Sequence, residues 1–220
     1  MKNKILMLVI MLGVMLLAAC GGQKLESKDG FTVLPKVKPG ESVATFAGGC
    51  FWAMQECMLE LKGVNTVVSG YAGGTKAHPS YDEVLTKKTG HAESVQVYYD
   101  PALVSFEQLT MAFFISHDPT QIDRQGPDIG SDYRSIAFYR TPSERATILK
   151  VMNSIDSTGQ YADPVATELT PFSVFYPAET SHQDYYRRNS FEPYIRNVSK
   201  PKVLKLRKTL REQIKEAYID

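Results

Sequence analysis

The sequence has little cysteine, a single tryptophan and almost no excess of either charge. Its 220 residues include three cysteines, which are too few for a disulfide framework or a zinc site. Lys and Arg number 25 against 24 Asp and Glu, and no basic stretch is long enough to suggest a nucleic-acid partner. The hydrophobic share of 43% is ordinary for a globular protein and argues against a disordered chain.

The sequence also lacks a hydrophobic run long enough to cross a membrane as a helix. Its most apolar stretch, residues 5–17, is shorter than the roughly 18 residues that a spanning helix needs. Two lysines precede this stretch and small residues follow it, an arrangement typical of an export signal. Leu17-Ala18-Ala19-Cys20 resembles the lipobox of bacterial lipoproteins, which implies acylation of Cys20. The alternative is a plain secretory signal with an incidental cysteine.

These features predict three segments. Residues 1–19 are a lipoprotein signal peptide, and residues 20–42 are the acylated cysteine and a flexible spacer rich in Gly, Pro and Lys. Residues 43–220 contain no second linker and no internal repeat, so we predict one domain that ends in a basic helix. We expect the mature protein outside the cytoplasm of a bacterium, attached to a membrane by its lipid anchor alone.

The domain shows both strand and helix periodicities. Residues 43–47 predict a strand, which leads through Gly48-Gly49 into a helix that begins near Cys50. Residues 91–99 alternate, so Glu93 shares one strand face with Val95 and Val97. Further strands are predicted at residues 64–69, 133–140 and 172–176, capping boxes at Ser105 with Gln108 and at Thr141 with Glu144, and a C-terminal helix with Val203, Leu206, Leu210 and Ile214 on one side.

The irregular alternation of these elements indicates the fold class. A doubly wound sheet needs a repeated βαβ unit, and the sequence does not contain one. We therefore predict an α+β fold, a two-layer sandwich in which helices pack on a ferredoxin-like mixed sheet.

Two cysteines fall on the first predicted helix. Cys50 and Cys57 are seven residues apart, so their Cα atoms should be roughly 10 Å apart at 1.5 Å per residue. That separation exceeds the about 7 Å that a disulfide can span. Cys57 lies among apolar helix positions and is interpreted as a buried structural residue. Cys50 follows two glycines at the helix start, where free N–H groups favour a thiolate, yet these residues alone leave a structural role equally open.

The residues around Cys50 carry a family resemblance. Gly49-Cys50-Phe51-Trp52 resembles the signature of the A-type peptide methionine sulfoxide reductases, with Ala53 where the family normally has Gly. The resemblance extends over roughly residues 43–208. Further family segments follow in the expected order: Gly70-Tyr71-Ala72-Gly73-Gly74, Pro79-Ser80-Tyr81, Gly90-His91-Ala92-Glu93, Tyr99-Asp100-Pro101, His117-Asp118-Pro119-Thr120, Gln125-Gly126-Pro127-Asp128-Ile129-Gly130, Tyr133-Arg134-Ser135 and His182-Gln183-Asp184-Tyr185-Tyr186.

The resemblance implies an activity and a set of site residues. The activity is thiol-dependent reduction of the S epimer of methionine sulfoxide, free or in proteins, without a metal or a bound organic cofactor. The implied roles are Cys50 as nucleophile, Glu93 as acid, Tyr81 and Tyr133 as donors to the sulfoxide oxygen, Asp128 as a polar member of the site, and Phe51 with Trp52 as the pocket for the substrate methyl group.

These residue types suit the chemistry. A sulfoxide sulfur becomes electrophilic when its oxygen is protonated, so the reaction needs a thiolate and a proton donor at the two ends of one S–O bond. The apolar strand face should raise the pKa of Glu93 and keep its proton. Phenols have a pKa near 10, so Tyr81 and Tyr133 can donate without activation. The reaction should leave a sulfenic acid on Cys50.

The C-terminal tail departs from many relatives, which carry resolving cysteines there. Residues 191–220 contain no cysteine. We therefore hypothesise that an external thiol or a thioredoxin-like partner reduces the Cys50 sulfenic acid. The alternative route uses Cys57 after local unwinding of the helix.

Other functions remain open from the residues alone. Cys50 could reduce peroxide through the same sulfenic acid, or the chain could be a non-enzymatic lipoprotein that binds a ligand. A cysteine-protease base would have to be one of four histidines: His78, His91, His117 and His182. None of these is placed near Cys50 by the sequence, and His182 and Asp184 are instead predicted to support the site by hydrogen bonding.

Overall fold

The computed structural model describes residues 24–219. The predicted signal peptide and Cys20 lie outside the described residues. In chain order the elements are β1 (Ser27–Lys28), β2 (Phe31–Thr32), β3 (Ser42–Gly48), α1 (Phe51–Leu59), β4 (Val64–Ala72), α2 (Tyr81–Leu85), β5 (Ala92–Tyr99), α3 (Phe106–Ile115), β6 (Arg124–Gln125), β7 (Asp128–Ile129), β8 (Ser135–Tyr139), α4 (Pro142–Ser157), β9 (Glu168–Pro171), β10 (Phe175–Pro177), α5 (Tyr185–Arg188) and α6 (Lys200–Thr209). Within this part of the chain, no helix combines the length and apolar character needed to cross a bilayer.

Six strands form the central sheet in the order β10-β4-β5-β3-β8-β9. All neighbours are antiparallel except β8 and β9, so the sheet is mixed. Helices α1, α3 and α4 contact the sheet, and α6 packs on α1 and α3. The predicted α+β fold with helices on a mixed sheet is confirmed.

The sheet is strongly curled. Strands β9 and β10 form its opposite edges, yet only residues 172–174 separate them along the chain. Six strands spaced about 4.8 Å apart would be roughly 24 Å wide if flat, whereas this connection can span at most about 14 Å. The edges must therefore approach each other. The prediction of one strand over residues 172–176 is wrong, because the chain leaves one edge and joins the other within that stretch.

Strand β5 carries the predicted alternation and is buried along its whole length. Val95, Val97 and Tyr99 belong to the main core, which includes α1 and α3, whereas Ala92 and Tyr98 belong to a second apolar cluster on the other face. Because side chains alternate along a strand, Glu93 points to the same side as Val95. This face lies under α1.

Side-chain caps define several helix starts. Ser105 and Gln108 form the predicted capping box of α3, with both bonds present. Ser80 and Glu83 form an equivalent box at α2, which the sequence analysis missed. The predicted C-terminal helix is shorter than expected, because α6 ends at Thr209 and Ile214 instead bridges to Leu61 in the core.

Part of the predicted spacer is folded onto the domain. Strands β1 and β2 pair as a hairpin, and the Thr32 N–H donates to the Ala178 carbonyl at 3.1 Å. The Thr180 N–H donates in turn to the Gly30 carbonyl at 2.8 Å. The prediction of a flexible spacer does not hold for these residues, since main-chain pairing orders a stretch that has no hydrophobic periodicity.

Candidate active site

Cys50 occupies the N-cap of α1, immediately after strand β3. Gly49 has φ +83°, and a Cβ there would lie 2.5 Å from Cβ and Cγ of Gln125. Only glycine therefore fits the turn that brings the chain from the sheet into the helix. The Cys50 residue is 5% exposed, so it is buried rather than on the surface.

The carboxyl group of Glu93 lies at the same helix start. Its Oε2 accepts the Phe51 N–H at 3.0 Å, and the residue is 1% exposed. The pKa of Glu93 is raised to about 8, chiefly by burial. The Phe51 N–H lowers this pKa, and the negative charges of Asp132 and Asp128 raise it. Glu93 thus holds its proton at neutral pH, in the direction that the strand pattern predicts.

The ionisation of Cys50 differs from the prediction. The helix start was expected to favour a thiolate, but burial raises the pKa of the thiol and the nearby Glu93 raises it further. Hydrogen bonding to the Tyr194 hydroxyl and to the Trp52 N–H, and the charge of Lys202, lower the pKa without offsetting burial. The resting residue is a thiol because desolvation outweighs the field of one helix start, so its proton must leave as the nucleophile forms.

Two phenols face this pair. Tyr81 is the first residue of α2, and its N–H donates to Oε1 of Glu179 at 2.8 Å. Tyr133 ends a 3₁₀ turn that lies against β5. Burial raises the pKa of both phenols, and Glu93 and Cys50 raise both further. Each hydroxyl therefore remains a protonated donor near the thiol and the carboxyl group.

The two aromatics after Cys50 play different parts. Phe51 is 1% exposed and packs inside the core beside Tyr71, with ring centres 5.9 Å apart. Trp52 is partly buried and stacks on Tyr185 at 3.8 Å. Its Nε1–H donates to Nδ1 of His182 at 3.3 Å. The outer aromatic wall is therefore Trp52 with Tyr185, whereas Phe51 forms the floor beneath it.

The structure adds Tyr194, which the sequence analysis did not identify. Its hydroxyl donates to Oδ2 of Asp128 at 2.6 Å and is within hydrogen-bonding reach of Cys50. Its ring lies edge-on to Trp52, with centres 5.7 Å apart. No local pattern marks Tyr194, because it reaches the site from the segment that precedes α6. Tyr194 thus connects the predicted site residue Asp128 to the Cys50 thiol through hydrogen bonds.

A buried glutamine holds the loop that carries His182. The Gln183 amide accepts the Ser69 N–H and donates to the Ser69 carbonyl, both at 2.9 Å. It also accepts from Gln55 of α1 at 3.1 Å. The Asp184 N–H donates to Gln55 at 2.9 Å, so Asp184 supports the site through its backbone. His182 supports it through the Trp52 hydrogen bond described above.

The remaining histidines have structural partners. His117 is buried, and its ring nitrogens contact the Phe113 carbonyl at 2.8 Å and the Ser135 hydroxyl at 2.7 Å. Burial lowers the pKa of His117 to about 4. His91 accepts the Gly74 N–H at 3.1 Å, and the His78 ring packs edge-on against Tyr176. The imidazole rings of these three histidines are therefore engaged in contacts that stabilise the fold.

Cys57 is completely buried in the core, where its thiol is hydrogen-bonded to the Ser116 side chain. It is a free thiol, as is Cys50. In residues 24–219, no group of three or more His, Cys, Asp or Glu side chains is arranged to hold a metal ion. The site therefore consists of the Cys50 thiol at the helix start, near the Glu93 carboxyl group and the hydroxyls of Tyr81, Tyr133 and Tyr194.

A thiol, a protonated carboxyl group and phenol donors beside an aromatic wall are the groups of a cysteine-dependent oxidoreductase. Residues 42–215 match the family model described as peptide methionine sulfoxide reductase. The chain belongs to the peptide methionine sulfoxide reductase family.

Individual relatives agree with this family. The chain is 46% identical over 187 residues to peptide methionine sulfoxide reductase MsrA 1 of Rhodopirellula baltica, covering 85% of this chain and 96% of the relative. It is 45% identical to MsrA of Thermus thermophilus, covering 80% of this chain and 98% of the relative. Among solved structures, methionine sulfoxide reductase A of Corynebacterium diphtheriae matches with a TM-score of 0.63, 32% identity and coverage of 70% of this chain and 78% of that chain. Reduced Mxr1 from Saccharomyces cerevisiae matches with a TM-score of 0.66, 31% identity and coverage of 71% and 91%.

Proposed function

We propose that this chain reduces the S epimer of methionine sulfoxide, free or in proteins, to methionine at the expense of a thiol. The observation that carries this proposal is the protonated Glu93 carboxyl group at the same helix start as the Cys50 thiol. The chain covers nearly the whole length of relatives that are named as methionine sulfoxide reductases, which supports the same activity.

The reaction balances with these groups. The Cys50 sulfur attacks the sulfoxide sulfur, and Glu93 gives its proton to the sulfoxide oxygen while Tyr81 and Tyr133 donate hydrogen bonds to it. The thiol proton replaces the one that Glu93 gives up as the S–S bond forms. This S–S bond and the S–O bond of the substrate then break as the hydroxyl group passes to the Cys50 sulfur. Methionine leaves with its sulfur reduced by two electrons, and Cys50 is oxidised by two electrons to a sulfenic acid that carries the oxygen.

Selectivity for one epimer follows from fixing three directions at the sulfur. The wall of Trp52 and Tyr185 takes the methyl group, the donors take the oxygen, and Cys50 defines the line of attack. The opposite epimer exchanges two of the substituents and leaves the donors without an acceptor. A site that hydrogen-bonds a substrate group discriminates strongly against a substrate that cannot offer it.

An external thiol or a thioredoxin-like protein completes the cycle. Residues 191–220 have no cysteine to resolve the sulfenic acid, and Cys57 is buried in the core two helical turns from Cys50. Trapping the oxidised chain with one equivalent of sulfoxide and mapping it by mass spectrometry tests this route. We expect a sulfenic acid on Cys50, and a Cys50–Cys57 bridge at stoichiometric yield would refute it.

The protein acts outside the cytoplasm as a lipid-anchored repair enzyme for oxidised proteins. The support is the export-signal layout of residues 1–19 followed by Cys20 in a lipobox-like context. Mass spectrometry of the mature N-terminus in a bacterial host tests this proposal. An acylated Cys20 supports it, and an unmodified or uncleaved N-terminus contradicts it.

One assay separates the proposed reductase from the two other functions. The chain and its Cys50→Ser variant are incubated with the S sulfoxide, the R sulfoxide or hydrogen peroxide, each with dithiothreitol. We expect reduction of the S sulfoxide only, lost in Cys50→Ser. Faster turnover of peroxide than of either sulfoxide would indicate a peroxide reductase, and inactivity of both proteins would leave a binding protein.

A further inference from the structure

Lys202 has an unusual orientation for a lysine near a protein surface. Lysine side chains usually lay their apolar stems on the protein and keep the ammonium in water. Lys202 does the reverse, because the residue is only partly buried while its Nζ is fully buried. This Nζ has no hydrogen-bond partner among residues 24–219.

The ammonium lies beside the turn that carries the nucleophile. Lys202 is in the first turn of α6, which packs against α1. A Cβ placed on Gly49 would be 3.8 Å from Lys202 Nζ, and Gly49 directly precedes Cys50. The charge of Lys202 therefore faces the start of α1 from a helix that the chain reaches about 150 residues later.

The groups that face Lys202 are uncharged in the resting protein. They are Cys50 and Cys57 of α1, Glu93 of β5 and His117 after α3. Burial keeps both thiols and Glu93 protonated and holds His117 neutral at pH 7. A buried ammonium without an anion is destabilising, and an apolar side chain of similar size would be better tolerated. An anion that forms at the adjacent Cys50 sulfur would give this buried Nζ a partner.

We propose that Lys202 is a positioning residue that supplies the counter-charge for the anionic sulfur of Cys50, first as the attacking thiolate and then as the sulfenate. A preorganised charge in a water-poor site stabilises the state in which charge develops. The part that concerns catalysis rests on the proposed function, whereas the effect on thiol ionisation does not require it.

The test measures the ionisation of Cys50 directly. Wild type, Lys202→Met, Lys202→Arg and the exposed control Lys200→Met are alkylated with iodoacetamide from pH 6 to 11, and the Cys50 peptide is quantified by mass spectrometry. In Lys202→Met we expect the rate of Cys50 alkylation to fall about tenfold at each pH, which corresponds to a rise of about one unit in the pKa of the thiol. Lys202→Arg should stay within about threefold of wild type, and Lys200→Met should not change.

Two further measurements exclude a merely structural role. Single-turnover reduction of the S sulfoxide should slow about tenfold in Lys202→Met. Urea unfolding should show Lys202→Met to be as stable as wild type or more stable, because a buried unpaired charge is removed. A side chain that only held α6 in place would lower stability instead.

Two further outcomes overturn the inference. An unchanged alkylation rate in Lys202→Met removes the link to Cys50, and a Lys202→Met protein that fails to fold shows that the ammonium is compensated in the resting state. If wild type reduces no sulfoxide but the alkylation rate still falls in Lys202→Met, the proposed function fails and the role of Lys202 in thiol ionisation stands.

Discussion

The two ends of helix α1 each hold a buried cysteine and a buried carboxyl group, but they differ in what surrounds them. Burial raises the pKa of Cys50 at the first end and raises the pKa of Cys57 at the other to about 12. Cys57 faces two acidic side chains, Glu60 and Glu56, which raise its pKa further, whereas Cys50 faces the single carboxyl group of Glu93. Cys50 hydrogen-bonds to the phenol of Tyr194 and Cys57 to the hydroxyl of Ser116, and Lys202 lowers the pKa of both thiols. The two thiols therefore differ in their neighbours and not in their burial.

The carboxyl groups show the same contrast. Glu93 at the first end has a backbone N–H as its partner and keeps a proton. Glu60 at the C-terminal end is paired with two guanidinium nitrogens of Arg207, Nη2 at 2.7 Å and Nε at 2.8 Å. A carboxylate in an ion pair holds the helix in place, and a protonated carboxyl group outside an ion pair can give its proton away.

The sharpest test of this contrast exchanges each cysteine in turn. Cys50→Ser should lower sulfoxide reduction by roughly a thousandfold or more, because the nucleophile is lost. Cys57→Ser should stay within about twofold, since that thiol makes no contact with the site. Steady-state rates with the S sulfoxide decide, and a large loss in Cys57→Ser would mean that the far end takes part in the cycle.

Glu93→Gln should lower the rate of the sulfoxide step by roughly 10²- to 10⁴-fold, the usual contribution of a general acid. The pKa of about 8 also predicts the pH dependence. Wild type is active while Glu93 is protonated and loses activity as the pH rises through about 8, and this limb should be absent in Glu93→Gln. Stopped-flow rates from pH 5 to 10 provide the measurement. An alkaline limb that survives in the variant belongs to another group.

A substitution at the C-terminal end of α1 should change the free energy of unfolding and leave the sulfoxide rate almost unchanged. Arg207→Met leaves the fully buried Glu60 carboxylate without a cation, and loss of one partner of a buried pair typically costs about 3 kcal/mol. The free energy of unfolding from urea titration should fall by that order, while the sulfoxide rate per folded molecule stays within about twofold. A variant of normal stability would show that Glu60 accepts a proton instead.

Short-range patterns were sufficient for the elements that hold Cys50 and Glu93. The alternation of β5 placed Glu93 on the buried face, and the glycine pair before Cys50 marked the turn into α1. The capping box at Ser105 located α3 in the same way. These features depend on residues that are close in sequence, so they can be predicted from the sequence alone.

Long-range contacts account for what could not be predicted. Tyr194 and Lys202 reach Cys50 from the C-terminal segment, and Gln183 joins α1 to β4. No local period marks such residues. The resting state of Cys50 was mispredicted for a related reason: the helix start was visible in the sequence, but the depth at which the sheet and helices bury it was not.

The hairpin β1–β2 bears on how the domain can be shortened. The family match begins at residue 42, which invites trimming of everything before it. Residues 30 and 32 share main-chain bonds with residues 178 and 180, and between those lies Glu179, whose carboxylate holds both the Tyr71 hydroxyl and the Tyr81 N–H. A domain cut at the family boundary would lose the main-chain bonds that hold the segment of Glu179 behind Tyr81, so the hairpin belongs to the folded domain.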